Sequence, residues 1–249
     1  MSLQTVSLVR IINVQYRYKL RAFSGLFTLL VIYQLIALVL SLGGVEQYGT
    51  GSNNVNINIS IFSTNLMLAV TLLWALVIGW LLPGKQYREG DFYFSGNRVS
   101  SNLSNILFLI TACVVGGLTV MLSNFLLKVV MVLGFHQKWL YEDVAAFGSA
   151  EWLKGFAAMI LYIILFASLG YGLSSLLKLR NGIRTFVVLF VICLVVGLSL
   201  FDKFQLFIWF GHVFFEEASF FIFVWKVLLT TVIAFGLSIV FTNRQEVRR

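Results

Sequence analysis

The chain predicts an all-α membrane protein: six transmembrane helices, an amphipathic interfacial helix before the first, a charged inner segment and an aromatic outer re-entrant segment. Three observations carry this. Six apolar stretches have span length, Gly25–Leu42, Ile61–Leu82, Leu103–Leu127, Gly155–Leu177, Ile183–Phe201 and Ala218–Phe241, about what a hydrocarbon core of roughly 30 Å demands of a helix. Of 249 residues, 59% are hydrophobic and only 11% charged, against about 25% charged in a soluble domain. The basic residues between the spans fall on alternate sides. In lipid each span must satisfy its own backbone hydrogen bonds, which makes it helical. The spans leave no loop large enough for a separate domain, so residues 1–249 read as one transmembrane domain.

Charge sets the orientation. With the N-terminus in the cytoplasm, the inner segments hold Arg10, Arg17, Lys19, Arg21, Lys85, Arg88, Arg98, Lys178, Arg180, Arg184, Arg244, Arg248 and Arg249, thirteen of the eighteen basic residues. The outer side keeps Lys128, Lys138, Lys154, Lys203 and Lys226, and seven of the ten acidic residues. The positive-inside bias therefore predicts both termini in the cytoplasm; the expected setting is a bacterial plasma membrane. The net charge of +8 follows from topology; no basic tract is long or aromatic enough for nucleic acid.

From Val6 to Ser24, Arg10, Asn13, Arg17, Arg21 and Ser24 share a narrow arc at helical spacing, opposite Leu8, Val9, Ile12, Tyr16, Leu20 and Phe23. A basic face backed by an aromatic-aliphatic one suits a helix lying in the inner headgroup region. Val14 and Lys19 break the pattern, and Lys19 is expected to snorkel. No cleavable signal peptide is visible, because the first apolar run follows this amphipathic stretch. The outer connection Gly43–Ser60 is rich in Gly and Asn and reads as irregular; its Asn58-Ile-Ser60 sequon is short enough to arise by chance.

Pro83, the only proline, marks the stop of the second span. The inner segment Lys85–Asn102 (KQYREGDFYFSGNRVSSN) mixes both charge signs with Tyr87, Phe92, Tyr93 and Phe94. That pattern fits a short helix against a cytoplasmic partner, and equally an aromatic belt with ordinary inner charge. Outside, Asp202–Glu217 sets Phe204, Phe207, Trp209, Phe210, Phe214 and Phe215 between charged ends. It is too short to cross and too apolar to float, so it reads as re-entrant or interfacial. Phe135–Trp152 resembles it more weakly, with Trp139, Tyr141 and Trp152 as interface anchors.

Chemistry-bearing constellations are sparse. No GxxxxGK[ST] run exists for binding ATP. His136 and His212 lie in outer aromatic connections without an HExxH, as packing residues do more often than metal ligands. Cys113 and Cys193 sit inside spans and read as small buried hydrophobes. Glu216-Glu217 lacks the following Arg of the intramembrane prenyl proteases, and Phe147-Gly148-Ser149-Ala150 lacks the second glycine of a serine nucleophile turn. Lys226, inside the last span, is an intramembrane-charge candidate, set against snorkelling or pairing with Glu216 or Glu217. Thr111, Thr119, Ser123 and Asn124 in the third span, the Gly116-Gly117 pair, and Gly170 with Gly172 and Ser174 read as helix–helix contacts.

The order of these parts resembles the permease subunits of type-2 ABC transporters, the exporter-like class. Val6–Ser24 is similar to the family's elbow helix and Lys85–Asn102 to its coupling segment. Residues 161–182 (LYIILFASLGYGLSSLLKLRNG) resemble its glycine-bearing fourth span and short inner turn, and Asp202–Glu217 its outer re-entrant helices. The resemblance implies a transport subunit with no enzyme activity or cofactor of its own. A separate ATP-binding subunit, carrying ATP and Mg, would dock on Tyr87, Arg88, Glu89, Asp91 and Phe92. A second permease subunit, the same or different, would complete a path lined by Tyr33, Gln34 and Trp74, and the cargo would be lipidic, peptidic or drug-like. Competing readings are an energy-coupling vitamin-uptake subunit, which needs no elbow helix; an intramembrane protease, which needs carboxylates deep in the spans; and a non-transport anchor or immunity protein.

Overall fold

The computed structural model describes residues 7–43, 46–52, 55–61, 65–84, 98–135, 149–177 and 219–244. Six helices and one hairpin follow in order: α1 (Leu8–Ala22), α2 (Ser24–Ser41), β1 (Glu46–Ser52), β2 (Val55–Ile61), α3 (Asn65–Leu81), α4 (Arg98–Phe135), α5 (Ser149–Leu177) and α6 (Phe220–Arg244). Five of the six expected spans thus have a helix. The fifth, Ile183–Phe201, lies outside the described residues, as do the re-entrant segment Asp202–Glu217 and the charged stretch 85–97.

Each helix boundary has a local cause. α1 and α2 are separate because Phe23 leaves helical geometry, at φ −107° and ψ 21°. α3 ends at Leu81, where Pro83 cannot continue the ladder and the Gly84 N–H donates to the Leu81 carbonyl at 2.7 Å. The third span was expected over Leu103–Leu127, but α4 starts at Arg98 and runs 38 residues, about 57 Å. That exceeds the roughly 30 Å hydrocarbon core: the polar run Arg98–Asn102 extends the helix at its start, and beyond Lys128 the apolar run Val129–Phe135 extends it at its end. α5 likewise begins six residues before the expected Gly155.

The connection Gly43–Ser60 is not irregular. β1 and β2 form an antiparallel hairpin in register from Glu46 opposite Ile61 to Ser52 opposite Val55. The run Val55-Asn-Ile-Asn-Ile-Ser-Ile61 alternates with strand period, which the Gly and Asn content obscured. Ile61, expected to open the second span, instead closes β2, and α3 starts at Asn65.

Contacts between helices fix their directions. α1 and α2 run parallel to α4 at a constant offset of 85 residues, from Lys19 on Ser104 through Phe23 on Phe108 to Gln34 on Thr119. α3 is antiparallel to α2: the Trp74 indole N–H reaches the Leu26 carbonyl, Gln34 reaches Thr71, and Met67 packs with Leu38. α5 is antiparallel to α4, with Asn105 on Tyr171 at one end and Phe125 stacked on Trp152 at the other. α6 runs parallel to α5, through Tyr162–Phe223, Tyr171–Phe235 and a Ser175–Ser238 hydroxyl pair.

One buried cluster draws on α2 to α6, with Leu30, Ile78, Phe108, Ile163, Tyr171 and Phe235, and Tyr16 and Leu20 of α1 pack against it, partly buried. Among the described residues four helices are long and apolar enough to cross a membrane; α3, at 17 residues, is shorter. In those four, only 22–39% of the apolar window is buried inside the protein. Much of the rest faces outward, including Val39 at 65%, Phe221 at 83% and Val232 at 68% exposure. A helix apolar on all sides but not covered by protein needs lipid, as expected of a membrane-embedded protein.

Candidate functional site

The strongest concentration of buried polar chemistry lies where α1 meets the start of α4. α1 is amphipathic, yet the centre of its buried face is polar: Gln15 and Lys19, one turn apart, are the two fully buried residues of the helix. Lys19 therefore does not snorkel. Its Nζ donates to the Ser101 carbonyl at 3.3 Å, Ser104 Oγ at 2.7 Å and Asn105 Oδ1 at 2.6 Å. An ammonium has three donors, and three acceptors converge on it here. The acceptors share a face because Ser101, Ser104 and Asn105 stand three and four residues apart on α4.

The network continues into α5. Asn105 Nδ2 donates to the Tyr171 hydroxyl, which donates to Asn102 Oδ1 at 2.8 Å. Tyr171, Ser104 and Lys19 have no exposed surface. Two atoms of the region stay unpaired, the Gln15 Oε1 acceptor and the Asn102 Nδ2 donor. A buried polar atom left unpaired costs about 1–3 kcal/mol. The lock thus combines three bonds to the ammonium with two unpaired buried atoms. It binds three helices at the point where the chain leaves the charged stretch 85–97.

A second polar contact lies deeper. Gln34 Nε2 donates to Thr71 Oγ1 and Thr119 Oγ1, both at 3.0 Å, joining α2, α3 and α4. Both threonines also donate to their own helix, at Met67 and Gly116. Thr111 and Ser123 bond back to Phe108 and Thr119 in the same way, so their hydroxyls have partners without a second helix. Since Thr71 and Thr119 keep these bonds without the amide, Gln34→Leu is expected to cost about 1 kcal/mol, near the measured average of ~0.6 per intramembrane bond. Unfolding of the purified chain in detergent measures it; a loss above about 3 kcal/mol would mean that Gln34 does more than join helices.

The residues singled out from sequence separate in space. Tyr33 is half exposed on the outer face of α2, whereas Gln34 and Trp74 are buried. Lys226 lies about 9 Å into α6, partly buried, with the Thr230 hydroxyl donating to its carbonyl. Tyr87, Arg88, Glu89, Asp91 and Phe92, like His136, His212, Cys193, Glu216 and Glu217, lie outside the described residues. Among the described residues no group of three His, Cys, Asp or Glu side chains could hold a metal ion.

The seam between α3 and α5 was half missed. Gly170 was expected to permit close approach, and it does: a Cβ there would lie 2.1 Å from the Leu76 carbonyl oxygen. Gly79 on α3 has the reciprocal role, 2.1 Å from the Ala167 carbonyl oxygen. Its signal was the Ala75-xxx-Gly79 spacing, a small-residue pair one turn apart. Gln15, Ser101, Ser104 and Asn105 were not singled out from sequence, and Lys19 was expected at the surface; their only signal was a set of polar residues at helical spacing beside an apolar span. Compared with known proteins, the chain matches no family model, no curated protein and no solved structure.

Proposed function

We propose that the chain is the membrane-spanning permease subunit of a type-2 ABC transporter, exporting a lipidic, peptidic or drug-like substrate with a second permease subunit and a separate ATP-binding subunit. The observation that carries this reading is the lock between Lys19 and Ser101, Ser104 and Asn105. A motor acting on the charged stretch 85–97 must pass its displacement to the helices. The stretch feeds directly into α4, and the first turns of α4 are bonded to α1 and, through Tyr171, to α5. Such coupling needs discrete alternative packings, and the unpaired Gln15 and Asn102 atoms offer a way for one packing to give way to another. The distinct α1, broken from α2 at Phe23, supports the elbow-helix assignment.

The helix directions support six crossings. α2 and α4 run one way and α3, α5 and α6 the other, so a crossing by Ile183–Phe201 completes an even count. The positive-inside bias then puts both termini, the lock and the stretch 85–97 in the cytoplasm.

The reading is tested by co-purifying the chain with candidate ATP-binding subunits and measuring ATP hydrolysis in lipid. Arg88→Glu and Asp91→Arg are expected to lower association and hydrolysis at least about tenfold each, the scale of a lost interfacial charge contact. Unchanged assembly and hydrolysis in both reversals would remove the docking segment and the permease reading with it.

A further inference from the structure

The opposite end of the α4–α5 pair carries a second built feature. A cavity of about 420 Å³ opens between the two helices, within the size range of small-molecule sites. Its apolar wall is Met121, Phe156 and Met159, its rim Trp152, and it presents two charges of opposite sign, Lys128 from α4 and Glu151 from the first turn of α5. Phe125 stacks on Trp152 with centroids 5.7 Å apart and planes 8° apart, fixing that turn of α5 against α4. Gly155 also lines the cavity, and a Cβ there would meet nothing within 4 Å.

The location decides the ligand class. Along α4, Asn105 of the lock and Asn124 beside the cavity are 19 residues apart, about 28 Å, which matches one hydrocarbon thickness. Lys128 lies one turn further, about 35 Å from Asn105, at headgroup depth. Among the described residues neither Lys128 nor Glu151 is ion-paired within 4.0 Å, and both charges face the cavity. A net anion on Lys128 leaves Glu151 repelled, and a net cation on Glu151 leaves Lys128 repelled. A zwitterion satisfies both.

We propose that this cavity binds one zwitterionic phospholipid, its phosphate on the Lys128 ammonium, its headgroup ammonium on the Glu151 carboxylate, and an acyl chain along Met121, Phe156 and Met159. The proposal holds whether or not the chain works with an ATPase.

Native mass spectrometry of the full-length protein in detergent tests it, titrating phosphatidylethanolamine, phosphatidylglycerol and water-soluble glycerophosphoethanolamine. Wild type is expected to retain one phosphatidylethanolamine at about tenfold lower concentration than phosphatidylglycerol. Lys128→Gln weakens that binding about tenfold, and Glu151→Gln removes the preference between the two lipids. Gly155→Leu, whose Cβ meets nothing within 4 Å and whose branch occupies cavity space, abolishes retention, while Lys154→Gln, outside the cavity, changes nothing. Equal retention of both lipids by wild type, undiminished binding in Gly155→Leu, or competition by the soluble headgroup at the concentration of the lipid would each overturn the proposal. Where a variant fails to fold, the wild-type preference between the two lipids and the competition by the soluble headgroup decide.

Discussion

Gly79→Ala is expected to lower the unfolding free energy by about 1–3 kcal/mol or more, the cost of forcing atoms into a packed interior, although alanine is the better helix former. The added methyl would stand 2.1 Å from the Ala167 carbonyl oxygen. Backbone cannot rotate away as a side chain can, so α3 and α5 must separate by about 1 Å or more, losing dispersion contacts along the seam. Gly170→Ala should cost as much, because its methyl meets the Leu76 carbonyl at the same 2.1 Å. The two clashes share one crossing, and a separation that relieves one relieves much of the other. The double variant should therefore cost well under the sum of the singles, a coupling of the kind contacting sites show. Gly236→Ala is the control, with nothing within 4 Å. Reversible unfolding in mixed micelles measures all four; Gly79→Ala as stable as Gly236→Ala would mean that the helices do not cross there.

That seam also shows what was legible in the sequence. Span existence came from hydropathy, which depends only on side-chain composition, and every expected span that can be compared has a helix. Span ends were less legible. Polar residues such as Ser100 to Asn105 lower the hydropathy of a segment without ending its helix, so α4 is longer than its apolar stretch. The hairpin was lost because two signals conflict in Gly43–Ser60. Gly and Asn argue for a loop, while the alternation of Val55, Ile57, Ile59 and Ile61 with polar residues argues for a strand, and the alternation prevailed.

The lock was misread for a different reason. A lysine near a membrane surface usually extends toward water, and the periodicity of α1 gives no hint of an alternative. The missing information is tertiary. Only when Ser101, Ser104 and Asn105 are brought opposite α1 does an inward Lys19 become the better solution, because three acceptors replace the lost water. Gln34 and Trp74 were conspicuous as polar-capable groups in apolar spans. Sequence could not tell a group that lines a path from one that ties helices, since both avoid lipid.

Lys19 leads to the second large effect, an asymmetry between two substitutions of similar size. Asn105→Leu removes the shortest acceptor from a fully buried ammonium and leaves the charge under-solvated, so it is expected to cost about 3–5 kcal/mol, the scale of a broken buried ionic contact. Lys19→Met keeps the length of the stem and removes the charge. Ser104 retains its own bond to the Ser101 carbonyl at 2.8 Å, leaving the Asn105 carbonyl as the main unsatisfied acceptor, at about 1–3 kcal/mol. The double variant Lys19→Met, Asn105→Leu replaces the polar contact with apolar surface. It should recover part of the loss in Asn105→Leu, because replacing both members of a buried polar pair is often near neutral. Lys19→Arg should not rescue, since a planar fork with five donors does not fit a cage shaped for three. The same double-mutant cycle, read by unfolding and by the protease sensitivity of α1, separates a charge-specific lock from plain packing. A purely packed contact predicts that Lys19→Met is harmless and that the two single losses add. A locked ammonium predicts strong coupling of the two sites and an α1 that detaches in Asn105→Leu before the rest of the bundle unfolds.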